Sequence, residues 1–393
     1  MRTGLLIASV VVGLCIIAFS PLLWPVYALV FATAGMFYIY RKLRPCQVPM
    51  PEIWPPVTIV VPMRNEERHV LQALNSFSGL QYDNLEVLIV NDCSTDNTET
   101  LAKNWLSTYR GPHTIKLLNA PQDPPLGWIG QTFASNYAIT DAKGDIILSC
   151  DADVVHTPES LRHSVAHFLS ARASLLSRIP HLVIKHPGEY PFLLHVFILR
   201  FSSWLSRLLG SRQSFAMGTY LMFSRNFYER SGGWNKNREY PESLALLNYA
   251  LAHGDTFILF DEVSTEVTAR YYRGARETAR GMLRNMNIPL LQPLPFLMAF
   301  LIIGINCSAI FNGAAALRAG TAAGVLTVPL IFSIFFGVHL FISAHSLKTV
   351  VQNTLLTPAL LWYIACMGIL GAVRIVVPFR LTWRGRSMGT TLS

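Results

Sequence analysis

Long apolar stretches flank a middle region of short, punctuated runs. Residues 3–40 contain no charged side chain. A continuous helix of that length would extend roughly 57 Å, nearly twice a ~30 Å hydrocarbon core. Pro21 and Pro25 divide it, which predicts two spans, about 4–20 and 22–40, forming a hairpin within residues 1–42. Residues 285–317, 319–347 and 349–373 are three more stretches free of Asp, Glu, Lys and Arg, each long enough to span. The first, broken by Pro289, Pro293, Pro295, Asn306 and Asn312, is the weakest of them. The pattern predicts membrane segments over 285–377 and a basic tail over 378–393.

Between these segments, residues 51–284 read as one folded domain. Trp54-Pro-Pro56 marks its start. Val57–Val61 and Leu85–Val90 are apolar runs of strand length, and 115–118 and 145–149 read the same way. Val70, Leu71, Leu74 and Phe77 give 66–77 helical spacing, and Ser94-Thr-Asp-Asn-Thr98 offers caps for a helix through Trp105. Strands alternating with helices predict an α/β domain whose parallel sheet is covered on both faces. Ligands on such sheets bind beyond the carboxyl ends of the strands. Residues 191–210 have a different rhythm. As a helix they place His195, Arg200, Ser202, Ser203, Ser206 and Arg207 in one arc of roughly 160°. Leu193, Leu194, Phe197, Ile198, Phe201, Trp204, Leu205, Leu208 and Leu209 fill the other side. This pattern predicts an amphipathic helix lying in a headgroup plane.

Composition sharpens the picture. Only 14% of the 393 residues are charged and 51% are hydrophobic, with a mean hydropathy of +0.36. Soluble domains carry about 25% charged residues, so a purely soluble enzyme and a disordered chain are both excluded. The net charge of +9 is unevenly spread. Arg2, Arg41, Lys42 and Arg44 precede residue 50 with no acid among them. After Glu277 there are eight basic residues and no acid. Subtracting those twelve flanking charges leaves 51–277 at −3, which does not suit a nucleic-acid binder. Basic flanks beside apolar segments fit anionic headgroups and place the termini of the hairpin in the cytosol. The six cysteines show no metal or disulfide spacing, which suits a reducing compartment.

Carboxylates stand where the strands are expected to end. Glu66 and Glu67 follow the first, Asp92 the second, and Asp151-Ala-Asp153 the strand at 145–149. The two carboxylates of Asp-x-Asp point the same way on an extended chain. Hard oxygen ligands of this kind hold Mg²⁺ or Mn²⁺ together with substrate phosphates. His156, close by, reads as a loop histidine rather than a ligand.

Three motifs carry a resemblance. Val57-Thr-Ile-Val-Val-Pro-Met-Arg-Asn-Glu-Glu67, Val87-Leu-Ile-Val-Asn-Asp-Cys-Ser-Thr-Asp96 and Asp151-Ala-Asp153 resemble the opening motifs of family 2 glycosyltransferases, of GT-A fold. Pro125-Leu-Gly-Trp-Ile-Gly130 is similar to a loop of the branch that glycosylates membrane lipids, which includes ceramide glucosyltransferases and hopanoid- and carotenoid-associated enzymes. Phe223–Trp234 and Trp383-Arg-Gly-Arg386 resemble that branch's acceptor-side strand and C-terminal signature. The resemblance implies a Rossmann-like GT-A domain in the cytosol, set between transmembrane helices in a multi-pass protein of a bacterial inner membrane. It implies donor contacts from Pro62, Arg64, Glu66, Asp92, Trp128, Gln131 and Asp151, and a metal, Mg²⁺ or Mn²⁺, on Asp153. Trp204, Tyr220, Arg270, Trp383, Arg384 and Arg386 would serve the acceptor or the tail. The implied reaction inverts the anomeric centre and moves one sugar from a nucleotide-sugar, UDP-glucose or another UDP-hexose, to a lipid in the bilayer.

Such a reaction needs a base for the acceptor hydroxyl. The family usually has Glu-Asp before the helix that begins here at Leu244. Glu242 aligns with the first acid, Ser243 replaces the second, and Glu239 is the other candidate. Gln131 stands where the loop usually has Lys, and Arg270-Tyr-Tyr-Arg273 stands where processive synthases carry Gln-x-x-Arg-Trp. The alternatives are a processive polysaccharide synthase and a catalytically inactive membrane scaffold.

Overall fold

The computed structural model describes residues 48–209, 215–236, 242–260, 265–285, 293–321, 333, 335–336, 347–376, 381–383 and 386–388. The hairpin expected within 1–42, Glu239, Arg384 and most of 319–347 lie outside them. Two units are resolved. One comprises 46–183, 216–271 and 380–393, the other 1–45, 184–215 and 272–379.

The first unit is built on β1 (Val57–Met63), α1 (Val70–Ser78), β2 (Leu85–Asn91), α2 (Thr98–Thr108), β3 (Thr114–Asn119), α3 (Gly130–Ile139) and β4 (Ile146–Cys150). β5 (Val154–His156), α4 (Ser160–Ser170), β6 (Leu175–Arg178) and β7 (His181–Leu182) follow. The seven-stranded sheet runs β3-β2-β1-β4-β8-β6-β9, where β8 is Tyr220–Ser224 and β9 Phe257–Phe260. β1, β2, β3 and β4 are parallel, and β8 runs antiparallel between β4 and β6. Strand order reverses between β1 and β4, which opens a crevice at their carboxyl ends. A smaller sheet pairs β5 with β10 (Val267–Ala269), and β10 with β7.

Ile59, Val61, Val87, Ile89, Leu148 and Met222 form the core with Leu74 and Phe77 of α1 and Leu161 and Val165 of α4. Val60, Leu88, Val90 and Ile147 are also buried, and α3 packs on β1 and β2. Burial on both faces explains why these strands read as mainly apolar runs. One helix starts later than its spacing predicts. α1 begins at Val70 rather than Glu66, because the preceding turn holds other bonds, described below, while α2 starts at Thr98, as its caps predict. α6 (Arg225–Arg230), α7 (Gly233–Lys236) and α8 (Glu242–His253) complete this unit with the hairpin of β11 (Leu381–Trp383) and β12 (Arg386–Met388).

The second unit contains α5 (Tyr190–Leu208), α9 (Gly274–Asn285), α10 (Pro293–Arg318) and α11 (Leu347–Val376). The expectation for 191–210 needs correction. α5 packs against α10 and α11, and three residues of its polar arc, His195, Ser202 and Ser203, are buried. Ser202 satisfies its hydroxyl on the Ile198 carbonyl, 2.7 Å away, and Ser203 accepts the Phe215 N–H at 3.1 Å. Because serines can satisfy themselves on backbone, they pack inward as easily as alanines. Trp204 is half-buried and stacks on Phe201 with centroids 5.6 Å apart. Among the described residues, no helix is long and apolar enough to cross a membrane. Within the expected span 349–373, α11 carries Pro358 and buried Asn353, Thr354 and Thr357.

Candidate active site

The turns after β1 and β2 hold each other. Arg64 Nη1 donates to the carbonyls of Asp92 and Cys93, at 2.8 and 2.9 Å. Asn65 Oδ1 accepts the Thr95 N–H at 2.8 Å, Glu66 N–H donates to Thr98 Oγ1 at 2.7 Å, and Glu67 N–H to Asp96 Oδ2 at 3.2 Å. Burial works to raise the Asp96 carboxyl, but the Thr98 hydroxyl and the amides of Thr98 and Glu67 outweigh it and hold it below its usual value. Asn65 and Cys93 take left-handed backbone, with φ of 53° and 50°. Such a conformation costs roughly 1–2 kcal/mol for a residue like Cys and persists where surrounding bonds over-determine it. Glu66 also bonds His69, Oε2 to Nδ1 at 2.7 Å. Arg64 and Glu66 thus brace the turns that carry Asp92. Asp92 is buried, with its N–H on the Met63 carbonyl at 2.8 Å. Pro62 lies past Val60, the last β1 residue paired with β4, so its missing N–H breaks no bond on that side.

The loop before α3 makes a tight turn in which the Trp128 N–H reaches the Pro125 carbonyl at 3.0 Å. Gly127, at φ 84°, supplies the positive torsion at the third position. Trp128 sets its ring edge against Phe133. At the second residue of α3, Gln131 donates from Nε2 to Asp151 Oδ1 at 2.7 Å. The amide therefore occupies the place of the usual lysine and fixes the carboxylate without neutralising it. Asp151 N–H in turn donates to the Thr219 carbonyl at 3.0 Å. Burial, with Asp151 and Asp153 next, raises the Cys150 thiol well above its usual value.

Beyond Asp153 the chain enters β5, where Val154 pairs with Ala269. Glu242, the first residue of α8, is 7% exposed and lies over Gly218: a Cβ at Gly218 would collide with Glu242 Oε1. Ser243 explains its departure from the family pattern. It is buried and donates to the Ala216 carbonyl at 3.3 Å, where a second carboxylate would face a carbonyl oxygen.

Tyr220 requires a correction. It is fully buried in the core beside His156, with centroids 5.7 Å apart, and burial first among several causes pushes its hydroxyl up to about 12. Strand alternation turns it away from the site edge, so it is core rather than an acceptor contact. His156 is likewise no loop residue; it ends β5, buried, with burial and then Arg178 lowering it to about 3. Trp383 and Arg386 pair across the β11–β12 turn. The residues that sequence reasoning missed are Ser177, Gly218, Thr219 and Tyr271. A glycine next to a strand was the available signal for Gly218.

Among the described residues, no three His, Cys, Asp or Glu side chains group to hold a metal by themselves. Two carboxylates two residues apart nevertheless fit a divalent cation that takes its other ligands from a bound diphosphate.

Residues 58–232 match the family model "Glycosyl transferase family 2". The probable glycosyltransferase YdaM of Bacillus subtilis is 33% identical over 109 residues, 27% of this chain and 24% of that protein. The 4,4'-diaponeurosporenoate glycosyltransferase of Staphylococcus aureus is 22% identical over 252 residues, 63% of this chain and 65% of that protein. The chain thus spans less than two thirds of either relative. A mannosyltransferase of Pyrobaculum calidifontis, solved with GDP-Man and Mn²⁺, shares the fold, with a TM-score of 0.53 at 20% identity over 88% of this chain and 98% of that one. The parallel β1–β4 core with its antiparallel β8 lies within the matched stretch, and residues 58–232 form a glycosyltransferase family 2 domain of GT-A fold.

Proposed function

We propose that the chain transfers a single sugar from a nucleotide diphosphate sugar to a hydroxyl or carboxyl of a membrane lipid, with inversion. One observation carries the reading: the short segment 218–219 holds Asp151 on one side and Glu242 on the other. That arrangement ties the backbone of a donor-side residue and the side chain of a candidate base to one short piece of chain. Asp92 and Asp151 would receive the nucleoside and sugar, and Asp153 with Asp151 would hold Mg²⁺ or Mn²⁺. The cation supplies positive charge against the departing diphosphate. Glu242 at a helix N-terminus is favoured as a carboxylate, the form that takes a proton from the attacking hydroxyl. In support, the P. calidifontis neighbour was solved with GDP-Man and Mn²⁺, and the S. aureus relative is named for an apolar carotenoid acid.

The lipid acceptor and membrane location draw support from the second unit. α11 buries Leu361 and Ile364 but also Thr357, which is bonded to the Asn353 carbonyl at 2.7 Å, while Trp362 is 62% exposed and Leu355, Leu356 and Leu370 are exposed too. Phe311 and Leu317 of α10 are exposed as well. Extended apolar exposure of this kind marks contact with lipid or protein, and helices that turn hydroxyls inward and leucines outward suit a lipid surround. The hairpin expected at 1–42 would add the anchor.

The test is transfer by the full chain in lipid vesicles, with UDP-hexoses and GDP-mannose offered separately, plus Mn²⁺ or chelator. A glycolipid of one added hexose, seen by mass spectrometry and lost with chelator, is the expected result. A long polymer, or donor turnover with no lipid product, overturns the single-transfer reading.

A further inference from the structure

Segment 216–219 is gripped from four directions. Ser177 on β6 donates to the Met217 carbonyl at 3.1 Å and accepts the Met217 N–H at 2.9 Å. Ser243 of α8 donates to the Ala216 carbonyl. Asp151 N–H binds the Thr219 carbonyl. Tyr271, two residues after β10, donates its hydroxyl to Thr219 Oγ1 at 2.6 Å. β10 is itself held at its start, where Glu266 bonds Arg178 at 2.7 Å and His163 at 2.6 Å. So many bonds on four residues leave the segment little freedom to shift, and it touches both the backbone of Asp151 and the carboxylate of Glu242.

We infer that Gly218 is a socket for the Glu242 carboxylate and that Tyr271 is the clamp that fixes this socket relative to Asp151; both are positioning residues for the transfer reaction. The inference rests on Glu242 being the base. A hydrogen at position 218 is what lets Glu242 Oε1 lie against the backbone. The next nearest atoms to a Cβ there are Glu242 Cδ at 3.4 Å and Ser243 Cβ at 3.7 Å, both ordinary contacts. A single methyl therefore displaces the end of one flexible side chain and nothing else. Tyr271 works at longer range. Its hydroxyl orients Thr219, whose carbonyl sets the backbone of Asp151 and so the spacing between donor and base.

Gly218→Ala is the sharpest perturbation, and Glu242→Gln its control. In the full chain, Gly218→Ala is expected to lower kcat for transfer at least ten-fold. Donor KM should stay within about two-fold and the melting temperature close to that of the parent. In the Glu242→Gln background the same change should cost nothing further, since the carboxylate it displaces is already neutral. Tyr271→Phe should lower kcat less, by a few-fold, and raise donor KM as well, because it loosens the Asp151 side. An active Gly218→Ala beside an inactive Glu242→Gln overturns the socket and leaves the base standing. Full additivity of the two changes overturns it too. A Gly218→Ala chain that does not fold shows that more than a carboxylate end is displaced, which also defeats the inference. An active Glu242→Gln removes the base reading and this one together.

Discussion

At the scale of single residues, charge placement decides most outcomes. Asp153→Asn keeps its size and removes one anionic oxygen. Transfer should fall by two orders of magnitude, a loss of about 3 kcal/mol in transition-state stabilisation, while circular dichroism stays unchanged; near-normal turnover refutes Asp153 as the metal residue. Gln131 bonds Asp151 without cancelling its charge. Gln131→Lys is expected to form an ion pair with it and weaken Mn²⁺ binding in the presence of UDP by about ten-fold, read by electron paramagnetic resonance, the range a one-charge change covers. Equal Mn²⁺ affinity in the two proteins counts against the assignment. His156 bears on stability instead. Burial, then Arg178, lowers its ring from 6.5 to about 3, so the folded protein holds it neutral at any pH above that. The unfolded chain takes up the proton near pH 6.5. The stability tied to neutral His156 is complete above pH 6.5 and drains away as pH falls towards 3. The melting temperature of His156→Gln should start lower and decline less steeply between pH 6.5 and 4 than that of the parent; parallel declines show that other groups dominate.

Elements were legible in the sequence to the extent that one periodicity governed them. β1, β2 and β4 read correctly because both faces of the sheet are buried, so their mainly apolar runs of strand length, broken only at Thr58, Glu86, Asn91 and Ser149, stand out. The carboxylates at their ends followed from the same logic, since ligand sites lie at the ends of parallel strands. Helix starts were less legible. Glu66 and Glu67 belong to helical spacing but are captured by Thr98 and Asp96, residues thirty positions away. α5 misled for a related reason: its serines and histidine mark an arc of polarity, but hydroxyls bonded to their own helix are at home inside. The 216–219 clamp was invisible, because its bonds to Ser177, Ser243 and Tyr271 join four separate stretches of chain. α11 offers a test of its exposed apolar side chains. Trp362 faces outward, and brominated acyl chains should quench a share of tryptophan emission that disappears in Trp362→Phe. Identical quenching in both proteins places that face against protein.

At the scale of the whole molecule, charge is segregated. The stretch 51–277 is net negative, and every charged residue after Glu277 is basic. α9 stands at that boundary. Thr278, Gly281 and Met282 are its buried face, and Arg276 and Arg280, one turn apart, are exposed. Glu277, the helix's one acid, turns its carboxylate to the Arg273 N–H at 2.6 Å, so it serves the helix start. An exposed arginine near an anionic surface contributes about 1 kcal/mol. Replacing both with glutamine should therefore weaken the preference for anionic lipid by about 2 kcal/mol, roughly thirty-fold. The measurement compares acceptor KM in phosphatidylcholine vesicles with and without about a third phosphatidylglycerol, at low and high salt. The parent should gain from the anionic lipid at low salt and lose that gain as the Debye length shrinks to a few ångströms near 1 M. The Arg276→Gln/Arg280→Gln protein should gain far less from the anionic lipid and lose correspondingly less with salt, with donor KM unchanged throughout. If the parent is indifferent to phosphatidylglycerol, the basic face of α9 does not meet the bilayer, and the charge segregation serves only the orientation of the chain during insertion.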